Sequence, residues 1–157
     1  MNKEHRYQIQ VEWTGNLGEG TKDYKVYSRN HEILVKGKAT ILGSSDPAFR
    51  GDAARYNPED LFVSTLASCH MLWYLHLCFA NGITVVSYVD KAEGIMKEKA
   101  DGSGAFEAVT LKPTIVLKAG DNVTLARSLH HEAHKMCFIA NSVNFPVKCE
   151  HLIRTEQ

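Results

Sequence analysis

The sequence predicts an α+β fold, on the basis of two observations. Two segments carry the start and stop signals of helices, and elsewhere apolar residues alternate with polar ones over short stretches, as they do in strands. The resulting order of elements is β-β-β-α-β-β-α-β. Because no repeat, low-complexity stretch or linker interrupts this order, residues 1–157 are expected to form a single domain.

The N-terminal part is predicted to be an antiparallel meander followed by a loop. Its three strands are expected at residues 6–13, 24–28 and 32–37. Residues 43–57 are rich in Gly, Pro and Asp, which indicates a loop. This loop carries Arg50 and Arg55 to the start of a helix, and loops in such positions often hold functional residues.

A long helix is predicted over residues 57–82. Asn57 is a suitable N-cap, Pro58 stands where a helix best tolerates proline, and Asn81-Gly82 supplies a left-handed stop. The segment is apolar nearly all round, which predicts a helix that is buried in the core.

One face of this helix carries Cys69 among aromatic and apolar residues. At 100° per residue, the members of this face are Phe62, Thr65, Leu66, Cys69, Leu72, Trp73 and His76. Cys78 points to the opposite side, so these two cysteines cannot pair with each other. We expect Cys78 and Cys149 to be structural thiols, and His70 and His76 to be packing partners rather than acid–base catalysts.

The C-terminal part is predicted to contain a hairpin, a second helix and a last strand. The two long strands are expected at residues 83–98 and 106–119, joined by a turn at 99–104, and the last strand at 145–154. The second helix is expected at residues 121–140. Asp121 or Asn122 caps it, and its apolar stripe is formed by Leu125, Leu129, Ala133, Met136 and Ile139.

The composition excludes some classes of partner. Lys plus Arg balance Asp plus Glu, 18 against 18, so the chain lacks the basic surface that binds nucleic acid or anionic lipid. The first residues lack the apolar run of a signal peptide, and the long helix is interrupted by serines and histidines, so we expect no membrane span and a cytoplasmic location. In that reducing compartment, four cysteines are more often buried, metal-binding or catalytic than disulfide-bonded.

Cys69 and Cys137 are the main candidates for chemistry. A free cysteine in an apolar helix is usually a small buried hydrophobe, but two cysteines on two core helices can meet. His130 and His134 share a helix face with Cys137, which leaves a zinc site open as an alternative, completed by Cys137 or Cys69. The sequence has neither a CxxC nor an HExxH motif, so the leading prediction includes no metal and no cofactor.

Three segments together resemble the OsmC/Ohr family of organic hydroperoxide reductases. They are DPAFRGD, then NPEDLFVSTLASCH, and some seventy residues later AHKMCFIANSV. The resemblance covers nearly the whole chain. It implies an OsmC-like fold with antiparallel sheets packed around two central helices, an intertwined homodimer, and a two-cysteine thiol peroxidase with Cys69 as the peroxidatic and Cys137 as the resolving residue.

The resemblance also implies the other roles in the site. Glu59 matches the family's acid, and Arg50 is the best match for its catalytic arginine, with Arg55 and Arg29 as alternatives. The expected substrates are organic hydroperoxides, which suit an apolar lining of Phe62, Leu66, Leu72 and Trp73. An external dithiol, of the kind carried by lipoyl proteins, is expected to reduce the enzyme.

Two other functions remain open at this point. One is a protein that binds a lipid-like ligand between its helices, with the cysteines as core residues. The other is a structural dimer stabilised by zinc at His130, His134 and Cys137.

Overall fold

A computed structural model describes residues 3–157, which divide between Leu61 and Phe62 into two compact units. Two α-helices and three small sheets give the mixed α+β architecture that the sequence predicts. The N-terminal unit holds one sheet, and the C-terminal unit holds the other two sheets and the second helix. The first helix begins at the end of the N-terminal unit and continues into the C-terminal one.

The sheet of the N-terminal unit is the expected antiparallel meander, with different strands. It consists of β1 (Gln10–Trp13), β2 (His31–Leu34) and β3 (Ile41–Gly43), in that order. The strand predicted at residues 24–28 is wrong, since this segment forms a turn in which the Val26 N–H donates to Asp23 O. The backbone of this segment does not pair with the sheet, and its two tyrosine rings, Tyr24 and Tyr27, pack against the Arg29 guanidinium.

The loop after β3 contains a short 3₁₀ turn, Pro47–Phe49. Asp46 caps this turn by accepting a hydrogen bond from the Ala48 N–H at 2.7 Å. Arg50 ends it in the left-handed conformation, with φ of 65°. A residue other than glycine is uncommon in that region of backbone space, so the loop holds Arg50 in a special geometry.

Helix α1 spans Pro58–Ala80, and both of its predicted ends are confirmed. The Asn57 Oδ1 accepts a hydrogen bond from the Asp60 N–H at 2.7 Å. At the other end Gly82 has φ of 70°, and the Ile83 N–H donates to Cys78 O at 2.9 Å, which is the hydrogen bond of a Schellman stop.

The prediction that α1 is buried on all sides is wrong for a single chain, because only one side of the helix is buried within it. Its buried residues form one stripe with a spacing of four, namely Leu66, His70, Tyr74 and Cys78. Leu72 and Phe79 are 63% and 80% exposed. By length and composition alone α1 passes the test for a membrane-spanning helix, a test that core helices of globular proteins also pass.

The long strands of the C-terminal unit are each broken into two. The observed strands are β4 (Val85–Asp90), β5 (Glu93–Glu98), β6 (Gly104–Leu111), β7 (Pro113–Leu117), β8 (Val147–Cys149) and β9 (Leu152–Thr155). One sheet has the order β4-β7-β9 and the other the order β5-β6-β8. The predicted hairpin is confirmed by antiparallel pairing of β4 with β7 and of β5 with β6. The last two strands pair in parallel with these, β8 with β6 and β9 with β7.

Helix α2 spans Val123–Met136 and is shorter than predicted. Asn122 is its N-cap and accepts a hydrogen bond from the Leu125 N–H at 3.0 Å. The helix ends because Cys137 turns to an extended conformation, with ψ of 108°. Cys137 is therefore the C-cap rather than a residue within the helix. The buried side of α2 is formed by Ala126, Leu129, His130 and Ala133, so His130 is not a surface residue.

Candidate functional site

Cys69 and Cys137 meet in the C-terminal unit. Cys69 lies at the middle of α1 and is half-buried, whereas Cys137 is fully buried at the end of α2. Both are free thiols, and the Cys69 side chain lies near enough to Cys137 to raise the pKa of the Cys137 thiol. Two sulfur atoms this close can form a disulfide once one of them is oxidised.

The surroundings of Cys137 keep it protonated. Burial raises the pKa of its thiol to about 11, and the neighbouring Cys69 side chain acts in the same direction. The Ala140 N–H donates to the Cys137 Sγ at 3.4 Å, which opposes the rise in pKa without cancelling it. At neutral pH Cys137 is therefore a protonated thiol.

An open apolar hollow lies on α1, one to two helical turns after Cys69. It has a volume of about 260 Å³ and is lined by Leu72, Trp73 and His76. Trp73 is one helical turn after Cys69 and packs edge-on against Phe138, the residue after Cys137, with ring centroids 5.7 Å apart.

The other two predicted lining residues lie elsewhere in the C-terminal unit. Leu66 is fully buried in a core cluster with Val109 and Leu111. Phe62 packs against Phe106 and Phe145 and lines a second hollow with residues 141–145.

The predicted charged residues lie in the N-terminal unit. Arg29 donates to two backbone carbonyls and stacks on two tyrosine rings, and Arg55 forms an ion pair with Asp52 at 3.6 Å. Arg50 is exposed, and its guanidinium lies 5.8 Å from the Tyr24 ring centroid. Glu59 is half-buried, and its Oε2 has no hydrogen-bond partner within residues 3–157.

A second cluster of chemically capable side chains was missed at the sequence level. The His70 Nε2 and the His130 Nδ1 are 3.0 Å apart, and the Cys149 Sγ is 3.8 Å from the first and 3.7 Å from the second. The sequence indicated His130 with His134 and Cys137 as the zinc alternative, and these three are not the residues that come together. For Cys149 and His70 the sequence predicts only structural roles. The parallel pairing of β8 with β6 brings Cys149 beside the helices, and no local pattern signals that pairing.

Burial keeps this cluster uncharged. It lowers the pKa of His70 to about 4 and that of His130 to about 3, with smaller contributions from neighbouring histidines. Burial likewise raises the pKa of Cys149 to about 12. Both imidazoles are therefore neutral at pH 7, so one ring donates and the other accepts in the hydrogen bond between them.

Comparison with known proteins assigns the chain to a family. A family model described as OsmC-like protein matches residues 51–151, which is well over half of the chain. The chain belongs to the OsmC-like family. Among solved structures, an OsmC-like protein of unknown function from Vibrio cholerae is 32% identical to this OsmC-like protein, with a TM-score of 0.86. The match covers 95% of this chain and 100% of that one.

More distant structures share the OsmC-like fold. An organic hydroperoxide resistance protein from Elizabethkingia anophelis is 18% identical, with a TM-score of 0.67, over 98% of this chain and 100% of its own. An organic hydroperoxide resistance protein from Legionella pneumophila has the same identity and TM-score over 96% and 98% of the two chains. A comparison with curated protein sequences found no match.

Proposed function

We propose that this OsmC-like protein is a cysteine-based organic hydroperoxide reductase that acts in the cytoplasm. The observation that carries the proposal is that the half-buried Cys69 and the fully buried Cys137 are neighbours whose side chains interact. It provides a sulfur that a peroxide can reach and a second thiol that is placed to resolve the oxidised product. The names of the Elizabethkingia and Legionella proteins, which share this fold, point in the same direction.

The reaction divides into three balanced steps. The Cys69 thiolate attacks one peroxide oxygen of ROOH, the O–O bond breaks, and the other oxygen leaves with a proton as the alcohol, so Cys69 becomes a sulfenic acid. The Cys137 sulfur then attacks the Cys69 sulfur and releases water, which forms a disulfide. An external dithiol reduces this disulfide by thiol–disulfide exchange and is itself oxidised to a disulfide.

The first step requires a cation near Cys69, because a thiolate and not a thiol is the nucleophile. Arg50 is the candidate for this role. An arginine is always charged, can donate to the leaving oxygen, and here sits on a loop that holds it in an uncommon backbone conformation. Glu59 is the candidate for orienting the guanidinium, since its buried Oε2 has no partner within residues 3–157.

Glu59 and Cys69 cannot serve the same reaction centre within one chain. They lie on one continuous helix ten residues apart, which is about 15 Å along its axis. Glu59 and the nearby Arg50 are therefore proposed to come from the second subunit of a homodimer. The exposed apolar side chains of α1, such as Leu72 and Phe79, are consistent with a helix that a partner covers.

The hollow on α1 favours apolar peroxides. Leu72 and Trp73 offer apolar contact to an alkyl or aryl group, and this contact raises the affinity for organic hydroperoxides over hydrogen peroxide. The hollow is open rather than enclosing, which suits a substrate that binds and leaves in each turnover.

The test is peroxide consumption by single-cysteine variants. Cys69→Ser is expected to abolish reduction of cumene hydroperoxide in the presence of a lipoyl-type dithiol, since no sulfur remains to be oxidised. Cys137→Ser is expected to reduce about one equivalent of peroxide per subunit and then stop. The Cys78→Ser variant serves as a matched control, because Cys78 is a buried cysteine of the same helix outside the pair, and it is expected to turn over normally. Full multiple-turnover activity of Cys69→Ser would contradict the proposal.

A further inference from the structure

The cluster of His70, His130 and Cys149 has the composition of a metal site. It combines two imidazole nitrogens and one sulfur, which is a ligand set that zinc and other borderline-soft divalent metals prefer. The three ligand atoms all lie within 4.8 Å of one another. None of the three residues belongs to the pair of cysteines that the proposed peroxidase reaction uses.

The distances agree with tetrahedral coordination. Zn–N bonds of about 2.05 Å and a Zn–S bond of about 2.3 Å place two nitrogens about 3.3 Å apart and each nitrogen about 3.6 Å from the sulfur. The observed separations are 3.0 Å between the nitrogens and 3.7 and 3.8 Å from them to the Cys149 sulfur. To close the site around a metal ion, the ligand atoms shift by about 0.3 Å or less, and each imidazole turns so that its lone pair points at the ion instead of at the other ring, whose centroid lies 5.3 Å away in the same plane.

The surroundings hold the ligands in place before any metal binds. The His130 ring is stacked between the rings of Tyr74 and His151, at centroid distances of 3.9 and 4.3 Å. The three ligands come from three different elements, which are α1, α2 and the end of β8. The fold itself therefore supplies the preorganisation that a metal site requires.

We propose that His70 Nε2, His130 Nδ1 and Cys149 Sγ bind a zinc-like divalent metal ion, with the fourth position open to water. The hydrogen that now lies between the two imidazoles moves to an outer ring nitrogen, and the Cys149 thiol loses its proton to solvent. Metal binding thus releases one proton. A bound ion would link both helices to the sheet and stabilise the folded C-terminal unit.

Cobalt serves as a spectroscopic probe of this site. Adding Co²⁺ to the reduced, chelator-treated full-length protein is expected to produce a thiolate-to-cobalt charge-transfer band together with visible bands of tetrahedral Co²⁺. Cys149→Ser is expected to remove the charge-transfer band and to weaken Co²⁺ binding at least about hundredfold, which is more than the loss of an outer-sphere partner costs. The matched control is the double variant Cys69→Ser/Cys137→Ser, which is expected to keep the band.

Measurements on the wild-type protein make the test independent of how the variants fold. X-ray absorption of the zinc-loaded protein is expected to show one sulfur and at least two nitrogens per metal ion, and calorimetry in two buffers of different ionisation enthalpy is expected to show release of one proton. Two sulfurs per metal, or loss of the cobalt band in the double variant with retention in Cys149→Ser, would place the metal at the peroxidase pair and overturn the proposal. Absence of binding at micromolar Co²⁺ and Zn²⁺ would also overturn it. None of these outcomes depends on peroxide turnover, so the peroxidase and metal proposals can fail separately.

Discussion

Burial separates the chemistry of the two cysteines in the proposed peroxidase pair. Cys137 has no exposed surface and a thiol pKa of about 11, so it is a poor nucleophile until an electrophilic sulfur is brought next to it. Cys69 is only half-buried, and a small peroxide can reach it. This difference matches the order of the proposed reaction, in which one sulfur is oxidised first and the other reacts only with the oxidised product.

The raised pKa of Cys137 leads to a prediction about alkylation. In a Cys69→Ser variant, the rate at which iodoacetamide modifies Cys137 is expected to rise about tenfold per pH unit between pH 7 and 10, because the thiolate fraction is still far from its limit. Mass spectrometry of the peptide that contains Cys137 measures this rate. A plateau that begins near pH 8 would show a thiol of ordinary or lowered pKa, contrary to the effect of burial.

At the residue scale, the sequence predicted the Cys69–Cys137 pair but not the cluster around Cys149. The pair could be foreseen because the motifs around both cysteines resemble those of one family. The sequence predicts only a packing role for His70, which lies in an apolar helix. Only the tertiary pairing of β6 with β8 shows that it faces a second histidine and a sulfur.

The elements of the chain were predictable where local chemistry sets them. Asn57 and Gly82 define the ends of α1 through backbone hydrogen bonds that neighbouring residues make. The breaks within the long strands have no such local signal. They lie at residues 91–92, 112 and 150–151. At the last of these breaks, the Glu150 N–H donates a hydrogen bond to Leu111 O, at the end of β6. The end of α2 at Cys137 also lacks a glycine or proline that would signal it.

Asp90 makes a hydrogen bond at the break at residue 112, and its carboxyl group is partly buried there. Its Oδ1 accepts a hydrogen bond from the Lys112 N–H at 2.7 Å, while its Oδ2 is buried without a partner within residues 3–157. Burial raises the pKa of the Asp90 carboxyl above its usual value, and the hydrogen bond from Lys112 only partly offsets this rise. The folded state therefore retains a proton on Asp90 in a pH range where the unfolded state has already lost it.

This difference predicts how stability changes with pH. As pH rises above about 4, the free energy of unfolding of the wild type is expected to fall relative to that of Asp90→Asn, with a slope of at most about 1.4 kcal/mol per pH unit. Asn keeps an oxygen that can accept from Lys112 but cannot ionise. Urea unfolding of both proteins between pH 4 and 6 measures the difference. A wild type that instead gains stability over the variant in this range would mean that the carboxyl pKa is lowered.

At the scale of the whole molecule, one chain does not bring all the proposed groups together. The two cysteines are neighbours within a single chain, whereas Glu59 lies too far along α1 to reach Cys69 in the same chain. The sequence already predicted this separation, because it depends only on the helical rise and on a helix without a break. The sequence could not predict how much of α1 stays exposed in a single chain. That exposure depends on how α2 and the two sheets of the C-terminal unit pack against α1.

A dimer with shared active sites makes a prediction that no single variant can test. Glu59→Ala and Cys69→Ser are each expected to be inactive as homodimers. A purified heterodimer of the two, obtained by co-expression with two different affinity tags, has one site with an intact Cys69 from one chain and an intact Glu59 from the other. It is expected to recover about half of the wild-type peroxidase activity, since one of two equivalent sites is complete.

The matched control for this heterodimer combines Cys69→Ser with Cys137→Ser. Because the two cysteines are neighbours within one chain, neither site of that heterodimer contains both thiols, and multiple-turnover activity is expected to stay absent. Recovery in the first heterodimer and not in the second assigns Glu59 to the partner chain and the cysteine pair to a single chain. If the first heterodimer is as inactive as its parents while remaining dimeric, Glu59 does not act across the interface, and the orientation of the activating guanidinium must come from within one subunit.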